Sequence, residues 1–189
     1  MIAASVLVVL VAFIAGQQFG SRGAPETGSA TGAPFASFGG GGGAAPDISN
    51  MSPEEAASRL FDRVMRYASE GKQDSASMFA PMAILAYDRV GTLDSHARYD
   101  MGTISAVVGD GPAAAAQADT ILAAQPNHLL ALILAAKAAD LEKDAAGAAK
   151  FRARLTSAAT AERAKGLAEY TDHQRDIDDA LKGPAAGRP

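Results

Sequence analysis

From Pro53 onward, apolar residues recur at the three-and-four spacing of amphipathic helices; before Asn50 they do not. Ala57, Leu60, Phe61, Val64 and Ala68 share one helical face and predict a first helix from Pro53 to about Ser69. Ser52 suits an N-cap, Pro53 the first helical position, Glu55 completes a capping box, and Gly71 can end the helix. A second helix spans about Ser75–Arg89, capped by Asp74 or Ser75, with Met78, Phe79, Met82, Leu85 and Tyr87 as apolar weight. Pro81 inside it predicts a kink or a late start, and Gly91 closes it. A third helix, capped by Asp94 or Ser95, lines up Ala97, Met101, Ile104 and Val108 until Gly109-Asp110-Gly111 breaks it. The fourth, about Pro112–Ala124, carries Ala114, Ala118, Ile121 and Leu122 and stops before Pro126.

Asn127 is the expected cap of a fifth helix, HLLALILAAKAADL. Leu129, Leu130, Leu132, Ile133 and Leu134 leave its first two turns without a polar side, so it is either central or exposed at a contact surface. A longer, more charged sixth helix spans about Asp144–Ala164, and Gly166 interrupts it. A last helix, about Thr171–Lys182, presents Ile177 and Leu181 to the body as a cap, with a frayed tail at 184–189. Strand formers are sparse after the first segment, which makes the expected fold all-α over residues 51–183.

Residues 1–19 follow a different rule. Met1–Gly16 is apolar or small throughout, and no charge precedes Arg22. As a helix the run through Phe19 would be about 28 Å long, close to a hydrocarbon core of about 30 Å. It predicts a single-pass membrane anchor; a cleaved secretory signal is the other reading, without a basic residue before the run or a clear Ala-x-Ala after it. Only Arg22 and the N-terminal amine bear on orientation, and Arg22 alone would favour a cytoplasmic domain; the expectation adopted is a helical domain on the periplasmic side of a bacterial membrane. Residues 20–50 are rich in Gly, Ala, Ser and Pro, with five consecutive glycines at Gly39–Gly43, and predict a disordered tether. Such a tether has a span on the order of 30–35 Å. Phe35 and Phe38 interrupt it and are candidate stickers for a partner.

Composition narrows the function. The chain has no Cys, which excludes disulfides, thiolate metal sites, a cysteine nucleophile and a lipoprotein anchor. A net charge of −4 argues against a nucleic-acid partner. No His-x-x-x-His pair links His96, His128 and His173, so no metal site is expected from them. Asp176, Asp178 and Asp179 point in different directions on a helix and predict a solvated face. There is no nucleophile elbow, phosphate-binding loop or dinucleotide fingerprint, and hence no expected catalytic residue, cofactor or small-molecule substrate.

Residues 95–128 form two short helices with a turn between, and Gly102, Ala114 and Pro126 fill three positions of a helical hairpin about 34 residues long. In these residues the stretch resembles a unit of the tetratricopeptide repeat family. Stepping by that period gives small-residue columns Ala68, Gly102, Ala136 and Ala80, Ala114, Ala148, while the closing proline becomes Thr92 and Thr160 and the usual aromatics are mostly missing. The resemblance, over about residues 53–165, implies a TPR-like α-solenoid of about three helix pairs plus a capping helix. It also implies a groove along the first helix of each pair, with Met65, His96, Tyr99, Thr103, Leu130, Ile133 and Lys137 facing a protein partner. The function expected is a non-catalytic, membrane-tethered scaffold. Two alternatives stay open: a permanent accessory subunit of a photosynthetic or respiratory membrane complex, and a factor that resembles the repeat modules of cytochrome assembly.

Overall fold

A computed structural model describes residues 51–183. Eight α-helices and no strands occur among them: α1 Pro53–Ser69, α2 Gln73–Val90, α3 Ser95–Val107, α4 Gly111–Ala124, α5 Leu129–Leu141, α6 Ala145–Arg163, α7 Ala168–Asp172 and α8 Gln174–Lys182. The domain is all-α, as its periodicity predicts. The expected anchor at 1–19, the tether at 20–50 with Phe35 and Phe38, and the tail at 184–189 lie outside the described residues. Among the described residues no helix is long and apolar enough to cross a membrane.

The first six helices pair as α1/α2, α3/α4 and α5/α6, and the three turns share one backbone course. Each helix ends on a residue near the bridge region: Glu70 at φ −82°, ψ 0°, Val108 at −91°, 6° and Glu142 at −81°, 0°. A left-handed residue follows, Gly71 (φ 70°), Gly109 (φ 83°) or Lys143 (φ 62°). The next N–H then reaches back six residues along the turn, inclusive. Lys72 N–H donates to Tyr67 O (2.9 Å), Asp110 N–H to Ser105 O (2.9 Å) and Asp144 N–H to Ala139 O (2.8 Å). This is the Schellman closure, and it satisfies carbonyls that the helix end leaves free. Lys143 holds the left-handed position without glycine's freedom, at some conformational cost.

The turns also fix which residues are equivalent. Gly71 to Gly109 is four residues longer than Gly109 to Lys143. The surplus is one helical turn in α2, which has 18 residues against 14 in α4. Counted from the turns, the positions matching Gly102 and Ala136 and matching Ala114 and Ala148 are Val64 and Ala76, one turn before Ala68 and Ala80. Val64, Ala76, Ala114 and Ala148 have no exposed surface, whereas Ala68 is only half-buried.

Expectations at three places along the chain need correction. Helix α2 starts at Gln73 with Lys72 as its cap residue, without a side-chain bond, because the turn after α1 is only three residues long. It also does not start late: it continues through Pro81, which is exposed. Ser77, whose carbonyl loses its partner to the proline ring, is exposed as well and can bond to water. At α5 the cap is His128 and not Asn127: its Nδ1 accepts from the N–H of Ala131 at 3.4 Å. The predicted final helix is split at His173 into α7 and α8.

Packing runs from neighbour to neighbour. Helix α1 lies on α2 and α3, α3 on α4 and α5, α5 on α4 and α6, and α8 returns to α5 and α6. One apolar cluster joins α1, α2 and α3 through Leu60, Val64, Tyr87 and Ile104. The other joins α3 to α8 through Tyr99, Ile121, Leu130, Leu134, Leu155 and Ile177. Helix α3 contributes to both. Nine of the 13 residues of α5 are buried, which settles its all-round apolarity: it is central.

Candidate functional site

The seven residues expected along a groove separate by burial. Leu130 has no exposed surface, and Tyr99 and Thr103 are 4 % and 7 % exposed, so these three belong to the packed interior. Met65 and Ile133 are half-buried, His96 is partly open, and Lys137 is exposed. Ile133 and Lys137 line a shallow groove of about 240 Å³ with Asp140, Arg152 and Asp179, across α5, α6 and α8. Arg152 and Asp140 form an ion pair on its edge.

The polar side chains gather elsewhere, where α3 begins and α7 meets α8. His96 and Asp100 are one turn apart on α3 and share a face. His173 closes α7 and opens α8 (φ −105°, ψ 26°), and that break turns its imidazole toward α3. There its Nε2 lies 3.0 Å from His96 Nε2 and 3.4 Å from Asp100 Oδ1. Its Nδ1 is 3.0 Å from Asp176 Oδ2, in the first turn of α8. Tyr87 donates to Asp100 Oδ2 at 2.9 Å, and Tyr99 donates to Asp176 Oδ2 at 3.4 Å while its ring meets His173 edge-on. Asp100 Oδ1 is buried and makes no hydrogen bond.

Burial alone would lower the pKa of His173. The nearby Asp100 carboxylate and the bond to Asp176 outweigh it and raise the group to about 9. The His173 bond, acting first, holds Asp176 below the usual carboxylate range. Burial, aided by Asp100, pushes the Tyr87 phenol up, and burial together with Asp176 does the same at Tyr99.

A second polar set ties α5 to α7. His128 Nε2 lies 3.2 Å from Glu169 Oε1, and Ser95 Oγ donates to the same oxygen at 2.9 Å. Ser95, His128 and Glu169 are residue types of a catalytic triad, but Ser95 and His128 both bond to the carboxylate. A hydroxyl activated by its base needs the Ser–His bond itself. Beside them Tyr170 OH accepts from Leu129 N–H at 3.0 Å and donates to Glu162 Oε2 at 3.3 Å, while Lys165 binds Glu162 Oε1 at 2.8 Å. Both sets act as clips that hold the short C-terminal helices on α3 and α5.

Burial lowers the pKa of His128 despite the Glu169 bond. Neutral His128 also fits its bonds, with Nε2–H toward Glu169 and a bare Nδ1 capping α5. The charged or titratable groups facing it are Glu169 and Tyr170 from α7 and Glu162 and Lys165 from the end of α6. In the unfolded chain His128 takes up a proton near pH 6.5 or so. The unfolded state then binds more protons, so this group's contribution to stability is full above that pH and is lost as pH falls through it. His128→Asn retains a capping oxygen but does not titrate in this range. Urea unfolding from pH 7 down to 5.5 should show wild type losing up to about 1.4 kcal/mol per pH unit relative to the variant. Parallel pH profiles would mean that burial does not shift His128 on folding, and a wild type that gains stability on acidification would mean that folded His128 is protonated.

No histidine–histidine spacing marks this cluster in the sequence. The usable signals are His96-x-x-x-Asp100 and His173-x-x-Asp176, each one helical turn. The acidic run divides as its helical spacing predicts: Asp176 turns to His173, Asp178 to Arg163 and Asp179 to Lys182. No family model, curated protein or solved structure matches the chain.

Proposed function

We propose that residues 51–183 are a TPR-like α-solenoid that binds a partner protein without catalysis and that residues 1–19 tether it to a membrane. The observation that carries this reading is the shared backbone course of the three hairpin turns. One left-handed residue and one six-residue closure recur at Gly71, Gly109 and Lys143. The contacts of α1 with α3 and of α3 with α5 add the stacking of first helices expected of such an array. The partner surface is taken to be the accessible part of the groove: Met65, His96, Ile133 and Lys137. A tether raises the local concentration of whatever the domain holds, to the millimolar scale for short flexible linkers. The same reading expects the domain on the periplasmic side.

An accessory subunit would meet its complex through the apolar α5 or through Phe35 and Phe38, and α5 is interior. That alternative therefore rests on Phe35 and Phe38. Extraction of native membranes in mild detergent, followed by affinity purification of the full chain, separates the two. The scaffold reading expects a partner that is lost, by roughly tenfold or more, in Ile133→Asp and Lys137→Glu chains that melt within a few degrees of wild type. Stoichiometric recovery of one large membrane complex, indifferent to both substitutions, would replace it with the subunit reading. Protease access on whole cells reports the side.

A further inference from the structure

The geometry points to a divalent transition-metal site, of the zinc class, formed by His96, Asp100 and His173 at the junction of α3 with α7 and α8. One ligand atom from each can be chosen so that all three lie within 4.8 Å of one another. Two imidazoles on one tetrahedral zinc, each bonded at about 2.0–2.1 Å, hold their nitrogens about 3.3–3.4 Å apart. The two Nε2 atoms stand 3.0 Å apart, and Asp100 Oδ1 is 3.4 Å from the second. His96 Nε2 is 3.9 Å from Asp100 Oδ2, so seating an ion between the three donors takes an opening of the histidine pair and an approach of the Asp100 carboxylate toward His96.

The surroundings match what metal-binding side chains need. Asp176 holds the Nδ1–H of His173, which leaves Nε2 as the ligand atom. Tyr87 steadies Asp100 through Oδ2 and leaves Oδ1 without a hydrogen bond. Two imidazoles with one carboxylate favour zinc and its neighbours over calcium or magnesium, which take oxygen donors. A groove of about 370 Å³ lined by Tyr87, Asp94, His96 and Asp100 reaches the His96 side of the site, from which water would supply a fourth ligand. The ion would join side chains 77 residues apart and so fasten the α7–α8 break to α3. Its role is a structural staple, independent of which partner the domain binds.

Calorimetry of the full chain in mild detergent, after chelator treatment, tests this with Zn²⁺ alone as the titrant. One ion per chain, a higher melting temperature and, with Co²⁺, the visible absorption of four-coordinate cobalt are expected. His96→Gln removes a partly exposed ligand without opening the core; it should weaken Zn²⁺ binding roughly 100-fold or more, with the metal-free melting point nearly unchanged. Asp176→Asn, one bond removed from the ion, should cost about 10–100-fold. Two results overturn the site: no Zn²⁺ binding tighter than about 100 µM, or equal affinity in wild type and His96→Gln. The first would leave the cluster as a protonated His173 between two carboxylates, and the second would put the ion elsewhere on the chain.

Discussion

Replacing Leu130 with Ala should lower the free energy of unfolding by about 2–5 kcal/mol. The side chain is fully buried in the cluster that joins α3 to α8. Its helix packs on α3, α4, α6 and α8, so the neighbours are held from several sides and cannot close over the space left behind. Urea denaturation should show a lower midpoint at an unchanged slope. Lys137→Ala on the exposed side of the same helix should stay within about 0.5 kcal/mol of wild type. The TPR resemblance gives both residues to a binding face. A Leu130 variant with intact stability and lost partner capture would move that residue from the core to the groove.

Gly102→Val should cost about 3 kcal/mol, the upper end of the usual range for overpacking. A Cβ at Gly102 would lie inside the van der Waals shell of Leu134 Cδ2, 3.3 Å from its Cδ1 and 3.1 Å from Gln117 Cβ. Leu134 is 1 % exposed, so its methyl groups must give way inside the packed core and not into solvent. The helix propensity gained over glycine, a few tenths of a kcal/mol, is too small to compensate. Truncating the obstruction provides the check: the Gly102→Val, Leu134→Ala pair should be less destabilised than the sum of the singles by about 1 kcal/mol or more. Additive losses would show that α3 and α5 are not in close contact at this position.

Helix α1 was legible to the residue, since Ser52 accepts from Glu55 N–H at 3.1 Å and the chain presents that cap in plain sequence. The hairpins were legible for the same reason: glycine, aspartate and proline mark their turns locally. The repeat register was not. A surplus turn inside α2 is silent in periodicity, because four residues nearly restore the same helical face, and alanines abound on either side of the slip. Lys143 in a left-handed turn is equally silent, since its conformation is imposed by the hairpin around it. The His128 cap escaped because Asn127 is the better capper by type, while burial against Tyr170 and Glu169 decided the matter. The His96–His173 meeting depends on the helix break at His173, and no local spacing links two residues 77 apart.

The order of pairing has a consequence for synthesis. Helices α1 to α6 meet mainly their sequence neighbours, and such local topologies fold in microseconds to milliseconds, far faster than a ribosome adds residues, at about 5–20 per second. Each hairpin can therefore settle as it emerges. The last segment reaches back furthest, past α4, α5 and α6 to α3, and until it does Tyr99 and the first N–H of α5 lack their covers. A nascent chain halted before Leu167 would be the form a chaperone has most reason to hold.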